Sequence, residues 1–97
     1  MNQLNQNYKF DKDKPQLSLV PPKLIEAVGI IRTYGVSKYK DAESWRKVTP
    51  KRYKDAMMRH LVEYLKDPQS LDQESGLPHP WHIACNVAFL IELEEES

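Results

Sequence analysis

The sequence predicts an all-α protein: a small helical bundle with a hairpin of two long helices at its core, an extended N-terminal arm, and completion by association of chains. Two segments, near residues 50–67 and 80–93, place apolar residues at helical spacing. Each begins at a proline, which is favoured in the first turn of a helix. Residues 16–20 alternate in polarity, but one short run of this kind forms no sheet by itself.

Length and composition are typical of one small globular domain. The chain has 97 residues, of which 40% are hydrophobic and 29% charged. A single cysteine, Cys85, excludes an internal disulfide framework and any multi-cysteine metal centre. The apolar stretches are too short to span a membrane, and the Asn- and Gln-rich N-terminus lacks a signal peptide's apolar run. We therefore expect a soluble protein of a reducing cytoplasm with no membrane partner.

The net charge of zero conceals a strong asymmetry between the two halves. Residues 1–54 carry twelve Lys and Arg against five Asp and Glu, whereas residues 55–97 carry two against nine. A protein that binds a nucleic-acid duplex would be strongly basic overall, so we expect no such partner. The asymmetry suits a small ligand that carries phosphates and a metal. Simple attraction between the two halves explains it equally well.

The first third of the chain is predicted to hold the arm and one helix. Residues 1–20 begin with Asn and Gln and continue with alternating charges, which indicates an extended arm before a single domain over residues 21–97. Two prolines then start a helix over residues 22–34, and Gly35 is its predicted stop. Residues 35–49 show no period and are predicted to form a loop with a turn of helix.

The rest of the chain is predicted to form the hairpin. Thr49 is the expected N-cap of a second helix that starts at Pro50 and ends before Pro68. A polar turn over residues 68–78 leads to a last helix from Pro80, which decays into an acidic tail. Such a hairpin needs a third layer. The first helix supplies part of it, and a second copy of the chain is expected to supply the rest, as a dimer or a dimer of dimers. The last helix is expected at the two-fold seam, with Leu90 in the contact.

Polar functional groups concentrate where the two long helices meet. The last helix carries three of them on one face, at spacings of three and four residues: His79, His82 and Asn86. The second helix does the same with His60, Glu63 and Asp67, and the joining turn adds Asp72 and Glu74. Carboxylates with imidazoles can hold a divalent ion, and a helix N-terminus favours phosphate. Equally, His79 can cap its helix, His82 can be a buried ring, and the acids can be surface groups.

Side chains from the irregular segment and the second helix are further candidates. Lys38, Tyr39 and Trp45 can clamp phosphates or stack on a base, although Trp45 is as well suited to the core. Asp55 and Arg59 lie four residues apart, a spacing that predicts a helical ion pair unless Arg59 turns toward a phosphate. Cys85 lacks an activating neighbour in the sequence and is predicted to be a small buried hydrophobe.

Several motifs resemble a known family over residues 8–93. They comprise residues 9–15, 19–22, 34–39, 55–61 and 72–79, with Trp45, His82 and Asn86. The block Glu-Ser-Gly-Leu-Pro-His at residues 74–79 is the most specific of them. Together they resemble the small phage and prophage proteins described as dATP/dGTP diphosphohydrolase, N-terminal domain, which are related to MazG-like all-α nucleoside triphosphate pyrophosphatases. MazG-like enzymes place their metal-binding acids as Glu-x-x-Glu and Glu-x-x-Asp or Asn, whereas this chain has His60-x-x-Glu63 and His79-x-x-His82.

The resemblance implies a helical oligomer of the host cytoplasm that releases pyrophosphate from purine deoxynucleoside triphosphates with Mg²⁺ or Mn²⁺. If the chain is such an enzyme, we expect catalytic roles for Glu63, His79 and His82. The metal ligands would be Glu63, Asp67 and Asp72. The ligand-binding residues would be Lys38, Tyr39, Trp45, Arg59, His60, Ser75 and Asn86. The alternative is a non-catalytic sponge that sequesters a nucleotide or cyclic nucleotide signal of bacterial immunity.

Overall fold

A computed structural model describes residues 14–95 of the protein, and these form an all-α bundle. Helix α1 spans Pro22–Tyr39, α2 spans Pro50–Lys66, and α3 spans His79–Glu95. Short 3-10 turns lie at Leu17–Leu19 and Ser44–Lys47. Within residues 14–95 there is no β-strand, only an isolated antiparallel bridge between Leu71 and Pro78. The predicted all-α bundle is therefore confirmed.

Helix α1 is longer than the sequence predicts. It starts at Pro22 as expected, but it passes through Gly35 and ends at Tyr39, so the predicted end at residue 34 was wrong. A glycine inside a helix costs only about 1 kcal/mol, which contacts made by the following turn can offset. Lys40 takes the left-handed conformation instead (φ 62°), and its N–H bonds to the carbonyl of Val36 at 2.7 Å.

The segment before α1 is only partly described. Residues 14–20 are exposed, and the period-2 run over residues 16–20 contains a 3-10 turn rather than a strand. The remainder of the predicted arm, residues 1–13, lies outside the described residues. The predicted turn of helix between the first and second helices is confirmed at Ser44–Lys47.

Helices α2 and α3 form the expected antiparallel hairpin. Helix α2 starts at Pro50 and ends before Pro68, as predicted, although the Thr49 side chain makes no capping hydrogen bond. Lys54 near the start of α2 pairs with Glu94 near the end of α3 at 3.1 Å. His60, farther along α2, contacts the first residue of α3, His79. This pairing brings the end of α2 to the start of α3.

A tight turn joins the two helices of the hairpin. The N–H of Asp72 bonds to the carbonyl of Leu77 at 2.9 Å, and the N–H of Gly76 bonds to the carbonyl of Asp72 at 2.8 Å. Gly76 has φ 73°, a left-handed conformation that favours glycine. The turn thereby fixes Asp72 just before the first turn of α3.

The core is small and lies between α1 and the hairpin. Its buried apolar residues are Ala27 and Ile31 of α1 with Cys85 and Leu90 of α3. Leu90 is therefore covered by its own chain and is not available to a partner. Val87 and Ile91, on another face of the same helix, remain 39% and 56% exposed. Among the described helices, none combines the length and the apolar character needed to cross a membrane.

Candidate functional site

Three histidines meet at the junction of α2 and α3. Nδ1 of His60 lies 2.8 Å from Nδ1 of His79, and the His60 ring stacks on the His82 ring with centroids 4.4 Å apart and planes 4° apart. His79 and His82 share one face of α3 because they are three residues apart. The antiparallel hairpin then places His60 opposite both of them. These are all three histidines of the chain.

Asp72 and Ser75 complete the cluster from the joining turn. Oδ2 of Asp72 accepts a hydrogen bond from the Ser75 N–H at 2.8 Å and lies 3.8 Å from Nε2 of His82. The Ser75 hydroxyl accepts a hydrogen bond from the Leu77 N–H at 3.1 Å and lies 2.7 Å from the same His82 nitrogen. Its single proton can be donated to Nε2, which suits a neutral His82 with its proton on Nδ1.

The electrostatics of the cluster keep His60 and His82 as neutral rings beside the Asp72 carboxylate. Burial lowers the pKa of His60, and the neighbouring His82 lowers it further. Burial also lowers the pKa of His82 more than Asp72 raises it. For Asp72, burial raises the pKa, but hydrogen bonds from Ser75 and the nearby rings outweigh it, and the pKa is lowered overall. Near pH 7, neutral His60 and His82 therefore face an ionised Asp72.

The cluster opens into a cavity of about 740 Å³ bounded by all three helices and the Ser44–Lys47 turn. Four cationic side chains line it: Arg32, Lys38, Arg52 and Arg59. Four acidic residues also line it: Asp41, Glu63, Asp72 and Glu74. A cavity of this size is in the range that holds a small organic ligand. The cations and the histidine–aspartate cluster thus face one shared space.

Aromatic side chains line the other side of the cavity. We call Trp45, Tyr53 and Phe89 the aromatic wall. The Trp45 ring stacks on Phe89, with centroids 4.5 Å apart and planes 13° apart, and the Arg46 guanidinium lies 4.4 Å from the Trp45 centroid. The Tyr53 hydroxyl donates a hydrogen bond to the Trp45 carbonyl at 2.7 Å. The Arg32 guanidinium lies 5.3 Å from the Phe89 centroid. Trp45 therefore lines the cavity and packs within the chain at the same time.

The end of α1 is tied to the joining turn by Glu74. Its Oε1 accepts hydrogen bonds from the Tyr34 hydroxyl, at 2.8 Å, and from the Lys38 ammonium. The bond to Glu74 is the main reason that the pKa of Lys38 and that of Tyr34 are raised. The same contacts, that of Lys38 first, lower the pKa of Glu74. Lys38, predicted to contact phosphate, thus lines the cavity with its charge already paired.

The structure brings some of the predicted site residues together and keeps others apart. His60, Asp72, Ser75, His79 and His82 form the cluster. Other predicted residues line the cavity outside it: Lys38, Tyr39, Trp45, Arg59, Glu63 and Asn86. Asn86 is buried.

Asp67 is the predicted site residue that lies elsewhere. It ends α2 in an extended conformation, its Oδ1 accepts a hydrogen bond from the Gln69 N–H at 3.0 Å, and it is not among the residues that line the cavity. Glu63 lines the cavity, with its Oε2 3.5 Å from the Lys66 ammonium. The predicted acidic triad of Glu63, Asp67 and Asp72 is therefore not gathered at one point.

The predicted ion pair between Asp55 and Arg59 was wrong. Oδ2 of Asp55 lies 2.9 Å from the ammonium of Lys51, one turn earlier on α2, and this contact lowers the pKa of Asp55. Arg59 lines the cavity instead. Both partners are four residues from Asp55, so the spacing alone does not choose between them.

Among the cavity-lining residues that sequence reasoning did not select are Arg32, Tyr34, Arg52 and Phe89. Helical spacing could have found three of them. Phe89 follows Asn86 by three residues on the face of His79 and His82, Arg52 precedes Arg59 by seven, and Tyr34 precedes Lys38 by four. The spacing between Tyr34 and Lys38 was not used, because the first helix was predicted to end at residue 34. Arg32 carries no comparable sequence signal.

Fold and site together define a small all-α domain with a histidine–aspartate cluster at one end of a cation-lined cavity. Residues 4–97 match the family described as dATP/dGTP diphosphohydrolase, N-terminal, and the chain belongs to that family. The predicted resemblance is thereby confirmed.

A curated relative supports the same assignment. A dATP/dGTP diphosphohydrolase of Salmonella phage PMBT28 is 36% identical over 85 residues, which are 88% of this chain and 29% of that protein. The chain thus spans less than a third of the length of that relative. No solved structure matches the chain.

The Mg²⁺ or Mn²⁺ implied by the resemblance does not fit the residues at this site well. Both ions prefer oxygen ligands, and Mg²⁺ demands a nearly octahedral set of them. The residues among 14–95 that come close enough to share an ion are His60, Asp72 and His79, which offer two ring nitrogens and one carboxylate oxygen. Glu63 and Asp67 do not join this group.

Proposed function

We propose that this domain binds a purine deoxynucleoside triphosphate in the cavity and releases pyrophosphate from it. The observation that carries the proposal is the arrangement of four cationic side chains around the space into which the histidine–aspartate cluster opens. A triphosphate needs several positive charges, and its hydrolysis needs a proton acceptor beside the reacting phosphorus. The activity named for the Salmonella phage relative supports this choice of substrate.

Arg52 and Arg59 are the proposed phosphate ligands. They lie seven residues apart on α2, two turns along one face, and both line the cavity. A guanidinium presents planar donors that match phosphate oxygens in pairs, which an ammonium does not. Arg59 and His60 both line the cavity, so a phosphate bound by Arg59 would share that space with the histidine cluster. Tyr39 and Trp45 are the proposed contacts of the base.

The chemistry asked of the cluster is proton transfer and alignment. Water adds to the α-phosphorus, the bond to the bridging oxygen breaks, and pyrophosphate leaves with that oxygen. A neutral imidazole can take the proton that the water loses. Burial keeps His82, which is not among the residues close enough to share an ion, neutral near pH 7. The arginines would stabilise the charge that develops on the phosphoryl oxygens.

A product assay tests the enzymatic proposal. Purified protein is incubated with dGTP or dATP, with Mg²⁺, Mn²⁺, Co²⁺ and Zn²⁺ in parallel, and the products are separated by ion-exchange chromatography. We expect the monophosphate and pyrophosphate in equal amounts. Arg59→Ala should lower turnover, whereas Lys51→Ala should not, because Lys51 lies on the same helix but pairs with Asp55 outside the cavity. No turnover at protein concentrations that reveal slow catalysis would overturn the proposal.

A non-catalytic nucleotide sponge is the second candidate. It is favoured by one observation: Glu63 and Asp67 do not gather with Asp72, so the acidic set of MazG-like enzymes is not assembled. Binding requires only the cations and the aromatic wall. The fate of the ligand separates the two proposals. After incubation and denaturation, unchanged nucleotide or cyclic nucleotide indicates the sponge, and monophosphate indicates the enzyme.

A further inference from the structure

The histidine–aspartate cluster offers the kinds of ligand atom that transition metals prefer. One ligand atom from each of His60, Asp72 and His79 lies within 4.8 Å of the other two. Ligand atoms around a tetrahedral zinc ion are about 3.4 Å apart, as bond lengths of about 2.0–2.1 Å require. Nδ1 of His60 and Nδ1 of His79, now 2.8 Å apart, would need to separate by roughly half an ångström to admit an ion.

The donor atoms select the class of metal. Imidazole nitrogen suits zinc, iron, cobalt and nickel, whereas magnesium, calcium and manganese prefer oxygen. We propose that His60, Asp72 and His79 bind one divalent transition-metal ion of the zinc or cobalt type, in preference to Mg²⁺. The site differs from the acidic one that the family resemblance implies, because two of its three ligands are imidazoles and because neither Glu63 nor Asp67 takes part.

The surroundings hold each ligand in place. Asp72 is fixed by the Ser75 N–H and by the two backbone bonds of its own turn. His60 is held by the parallel His82 ring, which in turn contacts the Ser75 hydroxyl. His79 is only 6% exposed at the start of α3. Such supporting contacts orient metal ligands and are a usual part of metal sites in proteins.

Three protein ligands leave one position of a tetrahedral ion open. Structural zinc sites fill all four positions with protein, whereas catalytic sites keep one for water or substrate. All three ligands line the cavity, so the open position would face the same space as Arg52 and Arg59. The occupation of this open position by a phosphate oxygen rests on the proposed function. The binding of the ion itself does not.

Metal binding to the full chain, without nucleotide, tests the proposal. Chelator-treated protein is titrated with Co²⁺, and binding is followed by calorimetry and by the visible absorption that Co²⁺ shows in tetrahedral sites. We expect one Co²⁺ per chain, competition by Zn²⁺, and little competition by Mg²⁺.

Two aspartates of the same interhelical segment provide matched variants. Asp72→Asn should weaken Co²⁺ binding by at least about 100-fold, since even loss of a supporting contact costs 10–100-fold. Asp67→Asn should leave binding unchanged. If Asp72→Asn does not fold by circular dichroism, His60→Gln replaces it with the same expectation.

Absence of Co²⁺ binding, or binding that both Asp72→Asn and His60→Gln leave intact, would overturn the metal proposal. Mg²⁺ binding as tight as Co²⁺ binding would overturn it as well. Because no nucleotide is present, these results are independent of the product assay. Protein that binds Co²⁺ as expected but leaves dGTP and dATP intact would support the metal site while contradicting the enzymatic function.

Discussion

The Tyr34 hydroxyl donates a hydrogen bond to Oε1 of Glu74 at 2.8 Å, across forty residues of sequence. The Lys38 ammonium bonds to the same oxygen. Through these contacts the last turns of α1 are joined to the turn between α2 and α3, beside the cavity. The charge of Lys38 is thereby satisfied within the protein. A phosphate that enters the cavity must compete with Glu74 for it.

Glu74→Gln is expected to strengthen nucleotide binding. The glutamine oxygen still accepts the Tyr34 hydrogen bond, but the negative charge beside the bound phosphates is gone and Lys38 is released toward them. We expect the dissociation constant of dGTP to fall by roughly two- to fivefold at low salt, the scale of one exposed ion pair. The gain should shrink as salt is raised. Calorimetric titration at two salt concentrations measures both effects.

Glu43→Gln is the matched control for Glu74→Gln. Glu43 also forms an exposed ion pair, with Arg46 at 2.8 Å, but it does not line the cavity. The two substitutions remove the same charge, so general electrostatic attraction would make them equal. An affinity for dGTP that is unchanged or weaker in Glu74→Gln would show that Glu74 does not compete with the phosphates for Lys38.

The stability of the domain is expected to fall as the solution becomes mildly acidic. Folding lowers the pKa of His60 and of His82 below the ordinary value of 6.5. Between the folded pKa and 6.5, the unfolded chain binds more protons than the folded one, so the free energy of unfolding rises with pH. The free energy of unfolding is therefore highest above about pH 6.5, and it decreases as pH falls through the pKa values that the two histidines have in the folded protein.

Urea unfolding in a chelating buffer, between about pH 7.5 and about pH 5, measures this dependence. His60→Gln should flatten it, because the variant lacks one of the two rings whose pKa folding lowers. Asp72 does not contribute to the pH dependence in this range. Its pKa is lowered from 3.8, so its protonation changes the stability only in stronger acid. A free energy of unfolding that is constant over this range, or that rises toward acid, would contradict the expectation.

Cys85 is expected to be nearly inert toward thiol reagents in the folded protein. It is 3% exposed, and burial raises the pKa of its thiol from 9.0 to about 11. Two pKa units reduce the thiolate fraction, and hence the reaction rate, by about 100-fold before access is considered. Reaction with a chromogenic disulfide at mildly alkaline pH should be slow in buffer and fast in denaturant, with Cys85→Ser as the blank. Fast reaction of folded protein would show that the core opens readily.

Local rules were sufficient to predict the hairpin. Pro50 and Pro68 bracket α2, and the apolar spacing after Pro80 marks α3, because prolines and helical periodicity act within a few residues. Antiparallel packing predicted that the face of α2 carrying His60, Glu63 and Asp67 meets the start of α3, and His60 is the member of that face that contacts His79 and His82. These predictions needed no information from distant parts of the chain.

The end of α1 and the position of Asp67 were predicted wrongly, because contacts between distant residues or the ends of helices determine them. Gly35 does not end α1, and the extra turn carries Lys38 to Glu74, a contact 36 residues away that helical spacing does not reveal. Asp67 was placed on the face of His60 and Glu63 by counting residues along a helix. The helix ends at Lys66, so Asp67 leaves that face. Spacing rules hold only while the helix continues.

Association of chains stays a prediction, and the structure shows which residue tests it. Leu90 lies in the intrachain core, so a charge there would unfold the chain rather than separate two copies. Ile91 is the better probe, since it is 56% exposed and, with Val87 one turn earlier, forms an apolar strip on α3. Two copies that pack these strips about a two-fold axis would bring each Ile91 close to its counterpart.

Ile91→Glu should therefore give a folded monomer, because its charges would meet across the axis in a dimer but reach water in a single chain. Light scattering after size exclusion gives the mass, and circular dichroism confirms the helices. Leu90→Ala is the contrasting variant: it should lower the free energy of unfolding by about 2–5 kcal/mol while leaving any assembly surface intact. A wild-type protein that is monomeric at micromolar concentration, or an Ile91→Glu variant that keeps the wild-type mass, would rule out a two-fold contact through this strip.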